Sequence, residues 1–308
     1  MSIVSNLIEC FKNGNFTLKE AYKANPDANP ESVRARIYEK MGINFIKRGR
    51  GLYSTINNDC LLIEGDGRSL KMIEDKSVDC IITDYPWNDK KSTKGGNRNF
   101  ADYETFNYTL EDFLAKARVL KDGAFLVEIL PAESETNYEE LYRIKNLAKD
   151  AGFQYYAKVT WKKGTFVANT GRKAKNSEDV MIFTKGKARN LRLDVKKTNL
   201  TGVKSYMSGT NGMLPTEFNV QAVSKKDQIS QSEKPVELIE QILEFVTLEG
   251  ELVLDQFAGS GSTAAACLKK NRKCIMFEKL KEKCQAIKKR LNMVQLGVPN
   301  ENIAYFAV

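Results

Sequence analysis

From Asp59 onward the chain alternates short apolar runs with stretches of helical period, and that alternation admits few folds other than an open α/β sheet. A run at 60–64 stops at Gly65-Asp66, and Val78–Thr83 stops at Asp84-Tyr85-Pro86-Trp87. A helix over 113–120 turns at Gly123 into a strand at 124–130, and a helix over 141–151 stops at Gly152. Two further runs, 155–161 and 180–184, read as antiparallel strands. Residues 187–230 are polar and carry Gly202, Gly209 and Gly212 without clear period, so they read as a basic insertion. The alternation resumes at Lys234-Pro235 with a helix at Val236–Val246, strand Leu252–Asp255, helix 263–270, strand 274–277 and helix Lys281–Leu291.

Composition removes whole classes of chemistry. The chain contains no histidine, which excludes histidine bases, histidine-activated nucleophiles and histidine metal ligands. Its six cysteines form no CxxC pair, and Cys60, Cys80 and Cys274 fall in apolar strand runs. No metal site or disulfide frame is therefore expected, and a reducing, cytoplasmic setting is. No apolar stretch approaches the ~20 residues that cross a bilayer, and the first residues lack the pattern of a secretory signal. At 308 residues there is room for a catalytic core and a small accessory unit.

The net charge of +9 is unevenly placed. Between Lys158 and Lys204 there are 13 Lys and Arg against 3 acidic residues, and within 1–56 there are 9 against 5. Concentrated positive charge on both sequence sides of Asp84 points to a polyanion, because neutralising phosphates releases counterions.

Residues 1–56 read as a separate unit of three helices and a hairpin. Leu7, Ile8 and Phe11 have helical spacing; Thr17 with Glu20 makes a capping box; Asn29-Pro30 caps a third helix carrying Val33 and Ile37. Two short strands then flank the basic turn Lys47-Arg48-Gly49-Arg50-Gly51. This pattern looks like a winged helix-turn-helix, with Arg34, Arg36, Lys47, Arg48 and Arg50 as DNA ligands. A helical cap on the core is the competing picture.

Two strand tips carry the chemistry. Asp84-Tyr85-Pro86-Trp87 hangs a carboxylate, a stiff turn and an indole off one apolar run. About 170 positions later Phe257-Ala258-Gly259-Ser260-Gly261-Ser262 follows another and opens a helix, as a nucleotide-binding loop does. Glu278 ends the next strand 19 residues after Gly259, placed to accept the two hydroxyls of a ribose. Taken alone, the loop also fits a dinucleotide site. Only one clear strand-and-helix pair follows it, however, so the sheet must be completed by strands earlier in the chain.

These segments resemble, in pairing and in order, the DNA amino-methyltransferases that use S-adenosyl-L-methionine, and in particular their permuted beta class. The resemblance rests on Lys234-Pro235-Val236-Glu237-Leu238-Ile239, on Gly250 and Val253 through Thr263, and on Gly65-Asp66, Leu70 and Ser77 through Asp84. It covers about 57–186 and 228–292. It implies a Rossmann-like methyltransferase sheet in circularly permuted order over 57–308, with target recognition near 187–230. Double-stranded DNA is the implied partner, with Arg172, Lys173, Lys175, Arg189 and Arg192 as further ligands. A homodimer and a cognate restriction endonuclease stay open as partners. By the same resemblance, Asp66 contacts the cofactor's adenine region and Lys234 its methionine carboxylate. Asp255 and the Phe257–Ser262 loop take the methionine portion, and Glu278 the ribose.

The catalytic reading follows from the chemistry of an exocyclic amine, whose lone pair is delocalised into its ring. A carboxylate from Asp84 and the carbonyl of Tyr85, accepting its two N–H bonds, pull the nitrogen toward tetrahedral geometry. Pro86 stiffens the turn, and Trp87 offers a stacking face for an extruded base. Tyr85 and Gln256 each stand where the family usually has proline, and Ser177 where it often has histidine. An Asp-first motif accompanies adenine N6 methylation in the family and a Ser-first motif cytosine N4, so adenine N6 is expected. Cytosine N4 methylation, a DNA-binding regulator without turnover and an NAD-dependent oxidoreductase are the alternatives.

Overall fold

The computed structural model of the chain describes residues 2–11, 15–41, 44–55, 57–87, 105–164, 176–192, 196–198, 201–202, 204–206, 208–230, 232–291, 293–295 and 304–307. The first elements are α1 (Ile3–Cys10), β1 (Asn15–Thr17), α2 (Leu18–Ala24), α3 (Pro30–Glu39), β2 (Phe45–Gly49) and β3 (Leu52–Thr55). The expected caps set two helix starts. Thr17 Oγ1 accepts from Glu20 N at 3.3 Å while Glu20 Oε2 accepts from Thr17 N at 2.7 Å. Asn29 Oδ1 accepts from Glu31 N at 2.8 Å, ahead of Pro30 in the first turn of α3. The three strands pair antiparallel in the order β1-β3-β2, closed by Gly51 at φ +73°. Leu7, Phe16, Ala21, Val33, Ile37, Phe45 and Tyr53 form a core of their own. The sequence reading missed β1, since three residues are too few to show a period.

The rest of the chain runs β4 (Asn57–Glu64), β5 (Val78–Thr83), α4 (Leu110–Val119), β6 (Leu120–Pro131), α5 (Tyr138–Asp150), β7 (Phe153–Lys162) and β8 (Ser177–Lys185). It continues with β9 (Lys196–Thr198), β10 (Lys204–Tyr206), β11 (Glu217–Asn219), α6 (Val236–Val246), β12 (Leu252–Asp255), α7 (Ser262–Lys269), β13 (Lys273–Glu278), α8 (Lys281–Leu291), β14 (Met293–Gln295) and β15 (Ala304–Ala307). Ten strands make one sheet in the order β11-β7-β8-β6-β5-β12-β13-β4-β15-β14. The centre from β6 to β4 is parallel, and β8 is antiparallel to both β6 and β7, as expected.

Alternating side chains along these strands feed two faces. Cys80, Ile82, Phe125, Val127 and Val253 pack with α6, α7 and α8, whereas Ile81, Leu126 and Leu254 pack with α4 and α5. The central strands are buried on both sides, so β5 reads as a continuous apolar run interrupted by Asp79. That carboxylate is satisfied: it accepts from Lys121 Nζ at 2.6 Å and Leu252 N at 3.0 Å.

The 187–230 segment differs from a free insertion. Leu191, Phe218 and Val220 are buried in the main core, β11 extends the sheet beside β7, and Trp161 Nε1 donates to Val220 O at 2.8 Å. Isolated apolar residues in a polar stretch show no period, yet each still removes surface from water.

Strands β5 and β12 are neighbours, and the chain leaves them in opposite directions: β5 leads through α4 to β6, β12 through α7 to β13. Such a reversal opens a crevice at the carboxyl ends of the two strands. Asp84 follows the one strand and Asp255 ends the other.

Candidate active site

At the tip of β5 the chain turns sharply. Trp87 N donates to Tyr85 O at 2.8 Å across Pro86, leaving the Tyr85 carbonyl one further lone pair. The Tyr85 ring is buried, with its centroid 4.3 Å from that of Tyr108 and 5.7 Å from that of Phe106. Aromatic packing thus anchors the position where the resembling enzymes have proline. Beneath it, Tyr108 Oη donates to Glu128 Oε2 at 3.1 Å, and the wholly buried Lys116 pairs with Glu128. The Lys116 ammonium lies 3.8 Å from the Tyr108 ring centroid, a cation–π contact that further holds that ring.

The Asp84 carboxylate meets a lysine from 150 residues away: Lys234 Nζ donates to Asp84 Oδ2 at 2.6 Å. The same ammonium lies 3.4 Å from Glu178 Oε2 and 3.3 Å from Ser232 O. Lys163 pairs with the other oxygen of Glu178. Exclusion of water raises the Asp84 carboxyl above the usual range, Glu178 adds to the shift, and Lys234 opposes it. Burial disfavours the Lys234 ammonium, but Asp84 and Glu178 outweigh that and raise it. Glu178, despite burial, is held below the usual range by Lys234 and Lys163. Neither Lys163 nor Glu178 was among the residues expected in the site. A carboxylate inside the apolar strand 178–184 was the available signal.

The glycine loop rises from β12. Gly259 and Gly261 have φ of +56° and +78°, backbone that a side chain would strain. A Cβ on Gly261 would lie 3.2 Å from Ile287 Cγ2, so this glycine lets α7 approach α8 and is not part of the cavity wall. Ser260 and Ser262 bond through their hydroxyls at 3.0 Å. Arg290 ties the loop down, donating to Ser260 O at 3.1 Å and to Glu233 Oε1 at 2.6 Å, while Ile229 N donates to Glu233 Oε2 at 2.7 Å. Glu278 accepts from Gly259 N and Leu280 N, each at 2.9 Å. Two backbone donors therefore fix its orientation and leave lone pairs for a ligand.

Asp255 is buried and accepts from Phe257 N at 3.1 Å. Burial pushes its carboxyl up to about 7, with the charges of Asp84 and Glu278 adding and the Thr263 hydroxyl opposing. Gln256, next in the chain, donates from Nε2 to Gly67 O at 2.7 Å. A Cβ on Gly67 would lie 1.8 Å from Gln256 O, so only glycine fits between Asp66 and Arg68.

Both tips open into one cavity of about 640 Å³, within the range of small-ligand sites. Asp66, Asp84, Tyr85, Pro86, Trp87, Lys234, Asp255, Phe257, Ala258, Gly259, Ser260, Ser262 and Glu278 line it, joined by Arg68, Phe106, Glu178 and Gln256, which the sequence did not single out. Among the described residues, five buried side-chain polar atoms lack a hydrogen-bond partner, and four belong to this lining: Thr83 Oγ1, Asp84 Oδ1, Glu178 Oε2 and Gln256 Oε1. All four are oxygens. The cavity therefore suits a ligand rich in N–H and O–H donors.

The expected DNA ligands are spread out. Arg34, Arg36, Lys47 and Arg50 are exposed; Arg34 stacks on Tyr38 and Arg36 pairs with Glu39. The side chain of Arg48, and all of Arg172, Lys173 and Lys175, lie outside the described residues. Arg189 has partners within the protein. Its guanidinium grips Glu251 through two bonds of 2.5 and 2.6 Å and reaches Val246 O and Asp79 O. These partners sit where β5 and β12 begin and where α6 ends, the opposite edge of the sheet from Asp84. That staple pairs its charge with Glu251. Arg192 lies nearby, donating from Nε to Thr210 O at 3.0 Å.

Comparison with known proteins places this geometry. A sequence profile described as DNA methylase, of the N6/N4 class, matches residues 78–289. The chain is 31% identical over 233 residues to the type II methyltransferase M.HpaI of Haemophilus parainfluenzae, covering 73% of this chain and 71% of that protein. It is 29% identical over 253 residues to the type II methyltransferase M.BamHI of Bacillus amyloliquefaciens, covering 76% of this chain and 56% of that protein. In fold it is similar to the M1.HpyAVI–SAM complex (TM-score 0.52, 22% identity, 76% of this chain and 99% of that one). It is likewise similar to the cytosine-N4-specific PvuII DNA methyltransferase (TM-score 0.54, 18% identity, 77% and 87%). A match that spans both strand tips and every element between them makes the chain a member of the N6/N4 DNA methylase family.

Proposed function

We propose that this chain transfers a methyl group from S-adenosylmethionine to the exocyclic N6 of adenine in duplex DNA, by direct attack of an extruded base. The observation that carries the reading is the single cavity joining the Asp84 turn to the Gly259–Glu278 loop, with Asp84 Oδ1 buried and unpartnered. When bound, S-adenosylmethionine supplies a methyl group on a positively charged sulfur. The residues fit it. Glu278 suits the ribose hydroxyls, and Asp255 suits an ammonium, whose charge would offset the burial that pushes its carboxyl up.

The protein's part is orientation and charge. Asp84 Oδ1 accepts one N–H of the target amine, and the free lone pair of the Tyr85 carbonyl accepts the other. Lys234 opposes the burial that raises the Asp84 carboxyl and so favours the ionised form, which accepts rather than donates. Once the nitrogen is alkylated, Asp84 is the nearest base for the proton it sheds. Trp87, half-buried at the cavity wall, offers a face to the base.

The order of the motifs, Asp84 first and glycine loop second, supports a permuted beta-class arrangement. Residues 1–56 have their own core, three helices and an antiparallel sheet, which supports a winged-helix unit presenting Arg34, Arg36, Lys47 and Arg50 to DNA. Incubation of the purified chain with methyl-labelled S-adenosylmethionine and duplex DNA tests the reading. Label is expected in N6-methyladenine and absent with Asp84→Ala. Label in N4-methylcytosine would overturn the choice of base, and no label in DNA would overturn the activity.

A further inference from the structure

Lys234 is the cation that family resemblance assigns to the cofactor's carboxylate, yet within the protein it already donates to Asp84 Oδ2 and Ser232 O and lies 3.4 Å from Glu178 Oε2. An α-carboxylate entering the cavity would compete with those partners for Lys234 unless it met another cation. The wall also carries Lys279 and Lys283, which follow Glu278 in sequence, and Arg68, whose backbone N–H donates to Asp66 Oδ1 at 2.9 Å.

Arg68 is held in place by its neighbours. Asp112, buried at the start of α4, accepts Nε at 2.8 Å and Nη2 at 2.9 Å. Asp112 is fixed in turn by Thr109, whose N–H and hydroxyl donate to it at 2.8 and 3.1 Å. The guanidinium lies 4.5 Å from the Phe106 ring centroid, and that ring packs 5.5 Å from Phe257. One edge of the fork is thereby occupied, and Nη1 has no partner among the described residues. A guanidinium held this way meets a carboxylate with little ordering left to do.

Backbone contacts connect the Arg68 turn to the Asp255 turn. Gly67, beside Arg68, packs under the Gln256 carbonyl and accepts the Gln256 side chain, and Gln256 follows Asp255. One short hydrogen-bonded link therefore joins an acceptor suited to an ammonium and a donor suited to a carboxylate.

We propose that Arg68 binds the carboxylate of the cofactor's amino-acid arm and forms, with Asp255, a receptor for an α-amino-acid zwitterion. This rests on the S-adenosylmethionine reading above. It leaves Lys234 committed to Asp84 whether or not cofactor is bound.

Titration calorimetry on the full chain tests it with two ligands, S-adenosylhomocysteine and 5′-methylthioadenosine, which keeps the adenosine but lacks the amino-acid arm. Arg68→Met, which keeps an apolar stem over Phe106, should weaken S-adenosylhomocysteine about ten- to hundredfold, the scale of a charged hydrogen bond. Binding of 5′-methylthioadenosine should stay within about twofold, since no charged hydrogen bond to it is lost. Arg68→Lys, which retains the pairing with Asp112, should show the same selectivity with a smaller loss and stands in should the methionine variant not fold. Equal losses for both ligands would reduce Arg68 to a structural role and overturn the proposal. So would unchanged S-adenosylhomocysteine affinity with weaker, less salt-dependent binding of duplex DNA, which would make a phosphate its ligand. If the wild-type chain bound neither adenosine ligand, the cofactor reading itself would fall, an outcome distinct from either of these.

Discussion

Lys234 Nζ stands 2.6 Å from Asp84 Oδ2 and 3.4 Å from Glu178 Oε2, so one buried ammonium is shared between two carboxylates. Burial raises the Asp84 carboxyl, Glu178 raises it further and Lys234 lowers it. If turnover needs Asp84 ionised, the acid limb of its pH profile reports that balance. Lys234→Met should move the limb to higher pH, and Glu178→Gln should move it to lower pH. Single-turnover methyl transfer across pH checks both. Limbs that do not move would mean another group controls the rate.

Asp255 should make stability depend on pH in the sense opposite to a salt-bridged carboxylate. Its folded value of about 7 lies above an unfolded value near ~3.9, so between them the native state holds a proton that the unfolded chain has lost. Stability contributed by this group is therefore greatest at low pH and declines from about pH 4 to about pH 7. Urea titrations of Asp255→Asn should show a flatter profile over that window and higher stability than wild type at pH 8. Cofactor binding below pH 7 should release a proton from wild type, seen as a buffer-dependent enthalpy, and not from the variant.

Gly67→Ala should disrupt more than a surface change. The added Cβ would lie 1.8 Å from a backbone oxygen, which cannot rotate away. Overpacking of this kind costs about 1–3 kcal/mol. Because the displaced atoms belong to Gln256, cofactor affinity should fall with stability. Chemical denaturation and calorimetry measure the two, and wild-type values for both would refute the close approach.

Trp87→Ala should lose more methyl transfer than Trp87→Phe, because a stacking face contributes roughly 1–3 kcal/mol per base. A duplex carrying 2-aminopurine at the target should brighten when wild type binds and less so with the alanine variant. Equal rates for Ala and Phe would leave Trp87 as a packing residue.

Lys47→Ala and Arg50→Ala remove exposed charges from β2 and from the turn between β2 and β3. If each neutralises one phosphate, each should weaken DNA binding for all sequences and reduce the slope of log affinity against log salt by about 1. Binding isotherms at several salt concentrations check this. Unaltered slopes would favour the helical cap over the wing.

The sequence by itself determined the α/β class, most strands and helices, both chemistry-bearing tips and the order in which they occur. Central strands buried on two faces are written as apolar runs, and glycines at forced turns are written as glycines, so Val78–Thr83, Leu252–Asp255 and the Gly259–Gly261 loop were legible without coordinates. The 187–230 stretch was not, because its core contribution comes from single residues such as Phe218 with no period around them. Arg189 read as a DNA ligand because charge is countable in sequence while its partner, Glu251, is 62 positions away. The pairing of Lys234 with Asp84 and Glu178, and the seating of Arg68 by Asp112, were likewise decided by tertiary structure alone. Local pattern encodes which backbone forms and which face is buried. The environment of a charge is set by residues the chain brings back from far away, and only the folded sheet chooses them.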